Sequence, residues 1–284
     1  MANSNTSEPA DAVPSQPEPN WPDLGNRRFG RMNWIGLWTL YLKEVHRFWK
    51  VMTQTVLAPV ITTLLFLAVF ALALGKFRPD VNGVPFISFL APGLIIMAVL
   101  QNAFSNPSSS LLTGKVMGNI VDILMPPLSP TEMSLALAIG GVTRGVVVGF
   151  VTYLGMIYFV DFSYHHLWAI FFFSFTGSLL MAQVGTLAGI WAEKFDHMQA
   201  IMNFVITPLA FLSGTFYSIK QLPATFQVIS AFNPFFYIID GFRYGFTGKT
   251  EGQIMSGVII LLLLNAIFWV LNLYVLRKGY RIKS

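Results

Sequence analysis

Arg144 stands alone as a charge inside an apolar, glycine-rich run, ALAIGGVTRGVVVGF. A cation inside such a run is costly and marks either a ligand contact or a structural tie. Two roles are open to it: contact with an anionic group of a ligand, or attachment to backbone carbonyls or a carboxylate. Asp240 and Arg243 are three residues apart and can pair on one helical face, as a gating latch or as an exposed interfacial ion pair of small energetic weight. His165 and His166 are adjacent, so on a helix they diverge by about 100° and cannot both face one metal without further ligands. They read as residues at a membrane interface. The sequence contains no G-x-x-x-x-G-K-[ST] nucleotide loop and no G-x-S-x-G, H-E-x-x-H or EF-hand pattern. It contains no cysteine, hence no disulfide, thiolate nucleophile or cysteine metal site.

Of the 284 residues, 54% are hydrophobic and 11% charged, where a soluble domain carries roughly a quarter charged residues. The chain is expected to be an all-α integral membrane protein. Its net charge is +5, but the basic residues gather at segment ends rather than on an aromatic-interleaved face. That pattern fits a lipid surface and excludes nucleic acid as a partner. Residues 1–31 hold Pro9, Pro14, Pro17, Pro19 and Pro22 among Ser, Asn and acidic residues. Lacking an apolar h-region, they read as a disordered cytoplasmic tail rather than a signal peptide.

Residues 34–50 place Trp34, Leu37, Trp38, Tyr41, Val45 and Phe48 at helical spacing opposite Thr39, Lys43, His46, Arg47 and Lys50. This predicts an amphipathic helix in the membrane interface; packing on protein is the alternative. Six stretches then reach bilayer length, at about 51–74, 86–107, 131–160, 166–191, 199–216 and 253–276. Pro59, Pro92 and Pro208 mark kinks within them. Gln101, Asn102, Gln183, Asn203, Asn265 and Asn272 are polar side chains inside spans, able to join helices or to line a path. No Asp or Glu lies within a span away from its ends, which argues against proton-coupled transport and for an external energy source. With the N-terminus inside, twelve of the eighteen Lys and Arg residues fall in inside flanks and five in outside ones, so both termini are expected in the cytoplasm. The external segment 217–250, broken at Pro223 and Asn233-Pro234, predicts two re-entrant or interfacial half-helices before the last span.

Between the second and third spans runs GKVMGNIVDILMPPLSP. As a helix over about 114–125 it aligns Val116, Ile120, Ile123 and Leu124 on one stripe, and the prolines that follow stop it. Ser129-Pro130-Thr131 opens the next span, with Thr131 a cap or first-turn residue. The apolar stripe faces either a partner or the protein's own spans.

In their order and spacing, KEVHRFWK, FLAPGLIIMAV, GNIVDILMPPLSPTE, EKFD, PLAFLSGTFYSIKQLP and NPFFYIIDGFRYGF resemble the ABC-2 type permeases over 32–283. These are the membrane subunits of ATP-binding-cassette exporters, and the last two motifs are similar to the YadH-like branch of the bacterial inner membrane. The resemblance implies a single permease domain over 32–284. It implies a coupling helix, Asn119, Ile120, Val121, Asp122, Ile123, Leu124, Met125 and Pro126, seated in a separate cytoplasmic ATPase. Glu44, His46 and Arg47 would lie near that ATPase, and Glu193, Lys194 and Asp196 would form a second, smaller contact. Two permeases, expected as a homodimer in membrane lipid, would join two ATPases that bind the ATP and Mg²⁺; this chain itself would hold no cofactor or metal and perform no catalysis. The substrate path would be lined by Gln101, Asn102, Asn203, Phe204, Thr207, Phe211 and Phe216. A lipid, glycolipid or drug is the expected cargo, with a polysaccharide or glycoconjugate as the alternative. An integral-membrane lipid-modifying enzyme and a passive channel are the readings from other classes.

Overall fold

The computed structural model describes residues 32–74, 80–81 and 83–279. The Pro-rich tail lies outside the described residues. So do Arg27, Arg28, Arg31, Lys76, Arg78, Arg281 and Lys283 of the charge comparison.

The described chain is helical apart from one small hairpin. Helix α1 spans Trp34–Lys50, as its periodicity predicts. A π-helical turn, Thr53–Leu57, leads into α2, Ala58–Leu74. Strands β1, Asp80–Val81, and β2, Val84–Pro85, pair antiparallel in the connection between α2 and the next helix, where no strand was expected. Helix α3 runs Phe86–Val116, α4 Val121–Leu124, α5 Pro130–Met156 and α6 Leu167–Trp191. Helix α7, Phe195–Ile201, passes through a second π-helical turn, Met202–Ile206, into α8, Thr207–Leu212. A 3-10 turn at Ile219–Gln221, α9, Ala224–Ala231, and α10, Pro234–Thr247, precede α11, Ile254–Lys278. Among the described residues, five helical runs are long and apolar enough to cross a membrane: Thr53–Ala73 and the helices α3, α5, α6 and α11.

The π-helical turns end two residues before Pro59 and Pro208. A proline offers no N–H to the preceding turn, and a locally widened turn accommodates the lost bond. The predicted fifth span, 199–216, is thus a composite helix that begins at Phe195 and ends at Leu212.

Helix α3 is the centre of the bundle. Its apolar window is 78% buried, against 22% for Thr53–Ala73 and 17% for α11, so those two form the periphery. Glycines let α5 and α6 approach α3 at backbone distance: a Cβ on Gly145 would lie 2.8 Å from the Val99 carbonyl oxygen, and one on Gly189 2.9 Å from that of Ser108. This packing also corrects the predicted end of the second span. Pro107 removes one helical hydrogen bond, yet Asn106, Pro107, Ser108, Leu111 and Leu112 are buried and hold the helix intact to Val116.

Opposite ends of the bundle are fixed by contacts. Leu37 and Leu40 of α1, Leu111 of α3, Met133 of α5, Ile190 of α6 and Leu276 of α11 share one apolar cluster. At the other end α10 lies against the start of α3, where Arg243 Nε donates to Phe89 O at 3.1 Å, and against the entry to α6, where His165 N donates to Gly245 O at 3.0 Å.

Candidate functional site

The first end of the bundle gathers every segment expected to meet a cytoplasmic partner. It is held by polar fasteners. The α5 N-terminus carries a capping box: Ser129 Oγ accepts from Glu132 N at 3.3 Å and Glu132 Oε2 accepts from Ser129 N at 2.7 Å, with Pro130 as the first helical residue. The cap is therefore Ser129, and Thr131 sits in the first turn. Glu132 Oε1 also accepts from Asn33 N, while Asn33 Nδ2 donates to Pro127 O at 3.3 Å and Asn33 Oδ1 caps α1 through Gly36 N. One carboxylate thus joins α1, the double-proline loop and α5.

The predicted helix over 114–125 is divided in three. Helix α3 keeps 114–116, a turn with Gly118 at φ +75° interrupts, and α4 supplies only Val121–Leu124. A left-handed residue ends helix propagation, so no single peg forms. The apolar stripe divides as well. Ile120 and Ile123 are buried in the cluster with Leu37, Leu111 and Ile190, whereas Asn119, Val121, Asp122, Met125 and Pro126 are exposed. Of the stripe, Ile120 and Ile123 face the protein's own helices and Val116 faces out, while the Leu124 side chain lies outside the described residues.

On α1, Glu44 is completely buried, which corrects its placement at a partner surface. It belongs to the same stripe as Leu37, Leu40 and Phe48, at helical spacing. Its oxygens accept from Ser110 Oγ and pair with Arg47 at 3.1 Å, and Arg47 also donates to Asn106 Oδ1 at 2.9 Å and Ser109 Oγ at 3.1 Å. These two residues pin α1 to α3, and His46 remains exposed. Trp34 and Trp38 stay 65% and 57% exposed, so α1 buries one stripe in protein and offers a second, aromatic one outward. Glu193, Lys194 and Asp196 are exposed beside the end of α6. Lys115, from the last turn of α3, donates to the Ile190 and Ala192 carbonyls and draws the two loops together.

Within the bundle, a cleft of about 420 Å³ lies among Gln54, α2, α3, Arg144, Gln199, Met202 and Phe216. Gln101, Asn102 and Phe216, three of the path residues, line it together with Arg144. Arg144 Nη2 donates to Asn102 Oδ1 at 3.1 Å, and Asn102 Nδ2 is held by Ala98 O at 3.0 Å. Asn203, Phe204, Thr207 and Phe211 are not among the lining residues; Phe204 is 81% exposed on the outside of the composite helix. Asn203 and Phe204 lie within the proline-widened turn and Thr207 and Phe211 follow it, and the 3.6-residue period alone does not predict the shift in phase that the turn brings.

Asp240 and Arg243 are both buried and make no ion pair with each other, so neither an exposed pair nor a latch between them is formed. Asp240 caps the turn after α10, accepting from Thr250 Oγ1, Glu251 N at 2.9 Å and Gly252 N at 3.0 Å. Arg243 spends its donors on the Phe89 and Gly214 carbonyls and lies 3.7 Å over the Phe89 ring. The two histidines also pack on α10, His165 Nδ1 against Phe246 O at 2.8 Å and His166 stacked on Tyr244 at 4.4 Å.

Residues 36–247 match the ABC-2 type transporter family. The chain is 34% identical over 252 residues to the inner membrane transport permease YadH of Escherichia coli K12, covering 88% of this chain and 98% of that protein. It is 25% identical over 267 residues to nodulation protein J of Rhizobium leguminosarum bv. viciae, covering 88% and 95%.

Proposed function

From the premise that the chain belongs to the ABC-2 type transporter permeases, we propose that it exports an amphipathic or hydrophobic molecule, a lipid, glycolipid or drug. Family membership makes it the permease subunit of an ABC transporter, a multi-pass inner-membrane protein that works with an ABC ATPase. In this proposal the chain has no ATPase of its own, and two copies form a homodimer with two ATPases that bind ATP and Mg²⁺. The carrying observation is the convergence of α1, the 117–129 loop, the 192–196 loop and the end of α11 on one end of the bundle.

That end is assigned to the cytoplasm together with both termini. Six crossings are supported by connectivity: α6 ends beside the coupling loop, while Asn233 Nδ2 donates to Leu209 O at the end holding α10. In this reading α7 with α8 is the run that crosses between those two ends. Amphipathic cargo is supported by the cleft, which sets Phe66, Leu94, Met97 and Phe216 beside Gln101, Asn102 and Arg144.

Asp122 is exposed and makes no hydrogen bond or ion pair of its side chain among the described residues. Asp122→Lys is expected to reduce permease-stimulated ATP hydrolysis by the cognate ATPase at least about tenfold, while the permease still dimerises. Surface substitutions away from packing change stability by only about 0.5 kcal/mol, so the variant folds. Wild-type stimulation in this variant would overturn the coupling assignment.

A further inference from the structure

Arg144 is a cation without a counter-ion. Its exposure is 9%, and its single side-chain hydrogen bond is the one to Asn102 Oδ1. Its Nε is buried with no partner, and Arg144 makes no ion pair with a carboxylate among the described residues. No Asp or Glu lines the cleft that the guanidinium borders. Burying an uncompensated guanidinium at membrane depth is strongly unfavourable, and a planar donor fork of this kind is suited to a carboxylate or phosphate.

The surroundings are those of a binding site rather than of a structural tie. Arg243, the other buried arginine, is fastened to the backbone carbonyls of Phe89 and Gly214; among the described residues Arg144 donates to no backbone carbonyl. Gln101 adds a carboxamide to the same wall, with no side-chain hydrogen bond among the described residues. Along α3 the lining extends from Leu94 to Ser105, roughly 17 Å at helical rise. One stretch of this length is polar and the rest is apolar, so it accepts a headgroup at one place and the start of a chain at another.

We propose that the molecule bound in this cleft is an anionic amphiphile, whose phosphate or carboxylate group supplies the counter-ion that Arg144 lacks. The inference rests on the transporter reading and narrows its cargo class from amphipathic to negatively charged.

The test uses the full-length permease assembled with its ATPase in detergent, titrated with dodecyl phosphate, with the chain-matched neutral dodecyl glucoside, and with inorganic phosphate. Wild type is expected to bind dodecyl phosphate at least about tenfold more tightly than the neutral amphiphile. Arg144→Gln should abolish that preference and Arg144→Lys retain most of it. Asn102→Asp keeps the arginine but places a carboxylate beside it, and should abolish the preference too; this variant decides the matter if Arg144→Gln does not fold. Equal affinities in wild type overturn the inference, as when a second copy supplies the counter-ion, and so does a preference that survives in Asn102→Asp. Inorganic phosphate competing as tightly as dodecyl phosphate overturns the amphiphile in favour of a free-anion site. ATP hydrolysis in the same preparations separates the two readings: stimulation that is intact and lost on Asp122→Lys, with no anion preference, sinks this inference alone.

Discussion

Glu132 divides its two oxygens between the start of α1 and the start of α5, so it fixes the angle between an amphipathic helix and a spanning one. Ser129→Ala should cost about 1 kcal/mol, as a lost N-cap does, and Glu132→Ala more, because Asn33 N is orphaned as well. The melting temperature of the purified permease reads both. Glu44→Ala should cost about 1–3 kcal/mol by leaving buried partners unsatisfied, whereas His46→Ala, on the exposed side of the same helix, should be close to neutral. The capping box is legible in sequence as S-x-x-E across Ser129 and Glu132. Glu44 is legible too, since it falls four residues from both Leu40 and Phe48, although a carboxylate on an apolar stripe is easily assigned to the wrong face. The fate of Arg144 is not legible: its charge stands out in ALAIGGVTRGVVVGF, but the want of a carboxylate around it is a property of four separate segments brought together.

At the scale of elements, α1 and the starts of α3, α5, α6 and α11 follow from periodicity and turn residues, because apolar run length and caps act locally. Ends are less legible. Pro107 looks like a terminus, yet burial on α5 and α6 outweighs one missing hydrogen bond and carries α3 to Val116. The coupling segment errs in the other direction. An apolar stripe predicts a continuous helix through 114–125, and Gly118 divides it. Nothing lies within 4 Å of a Cβ built on Gly118, so Gly118→Ala tests backbone conformation alone. Its left-handed geometry should cost about 1–2 kcal/mol, shift the loop away from the position set by Ile120 and Ile123, and lower ATPase stimulation without impairing permease assembly.

At the scale of the whole described domain, the arrangement of ends carries a topological prediction that the absence of cysteine makes easy to test. Met125→Cys, at a position 80% exposed, should react with a membrane-impermeant maleimide only in inside-out vesicles. Phe232→Cys, 85% exposed at the other end, should react only in right-side-out ones. The reverse pattern would overturn the assignment of both termini to the cytoplasm. Hydropathy and charge give an expected side for these ends; what they do not give is the form of the composite helix from Phe195 to Leu212, where Pro208 alters the helix from within. Pro59 does the same on the opposite side of the cleft, and both widened turns, at Thr53–Leu57 and Met202–Ile206, contribute a lining residue, Gln54 and Met202. A widened turn holds one surplus residue, and moving it along a helix re-aims each residue it passes by about 100° at the expense of one exchanged hydrogen bond. The proline behind each turn has no N–H to exchange, so any such shift is confined to the N-terminal side, where it would re-aim residues ahead of the turn and leave those behind the proline in place.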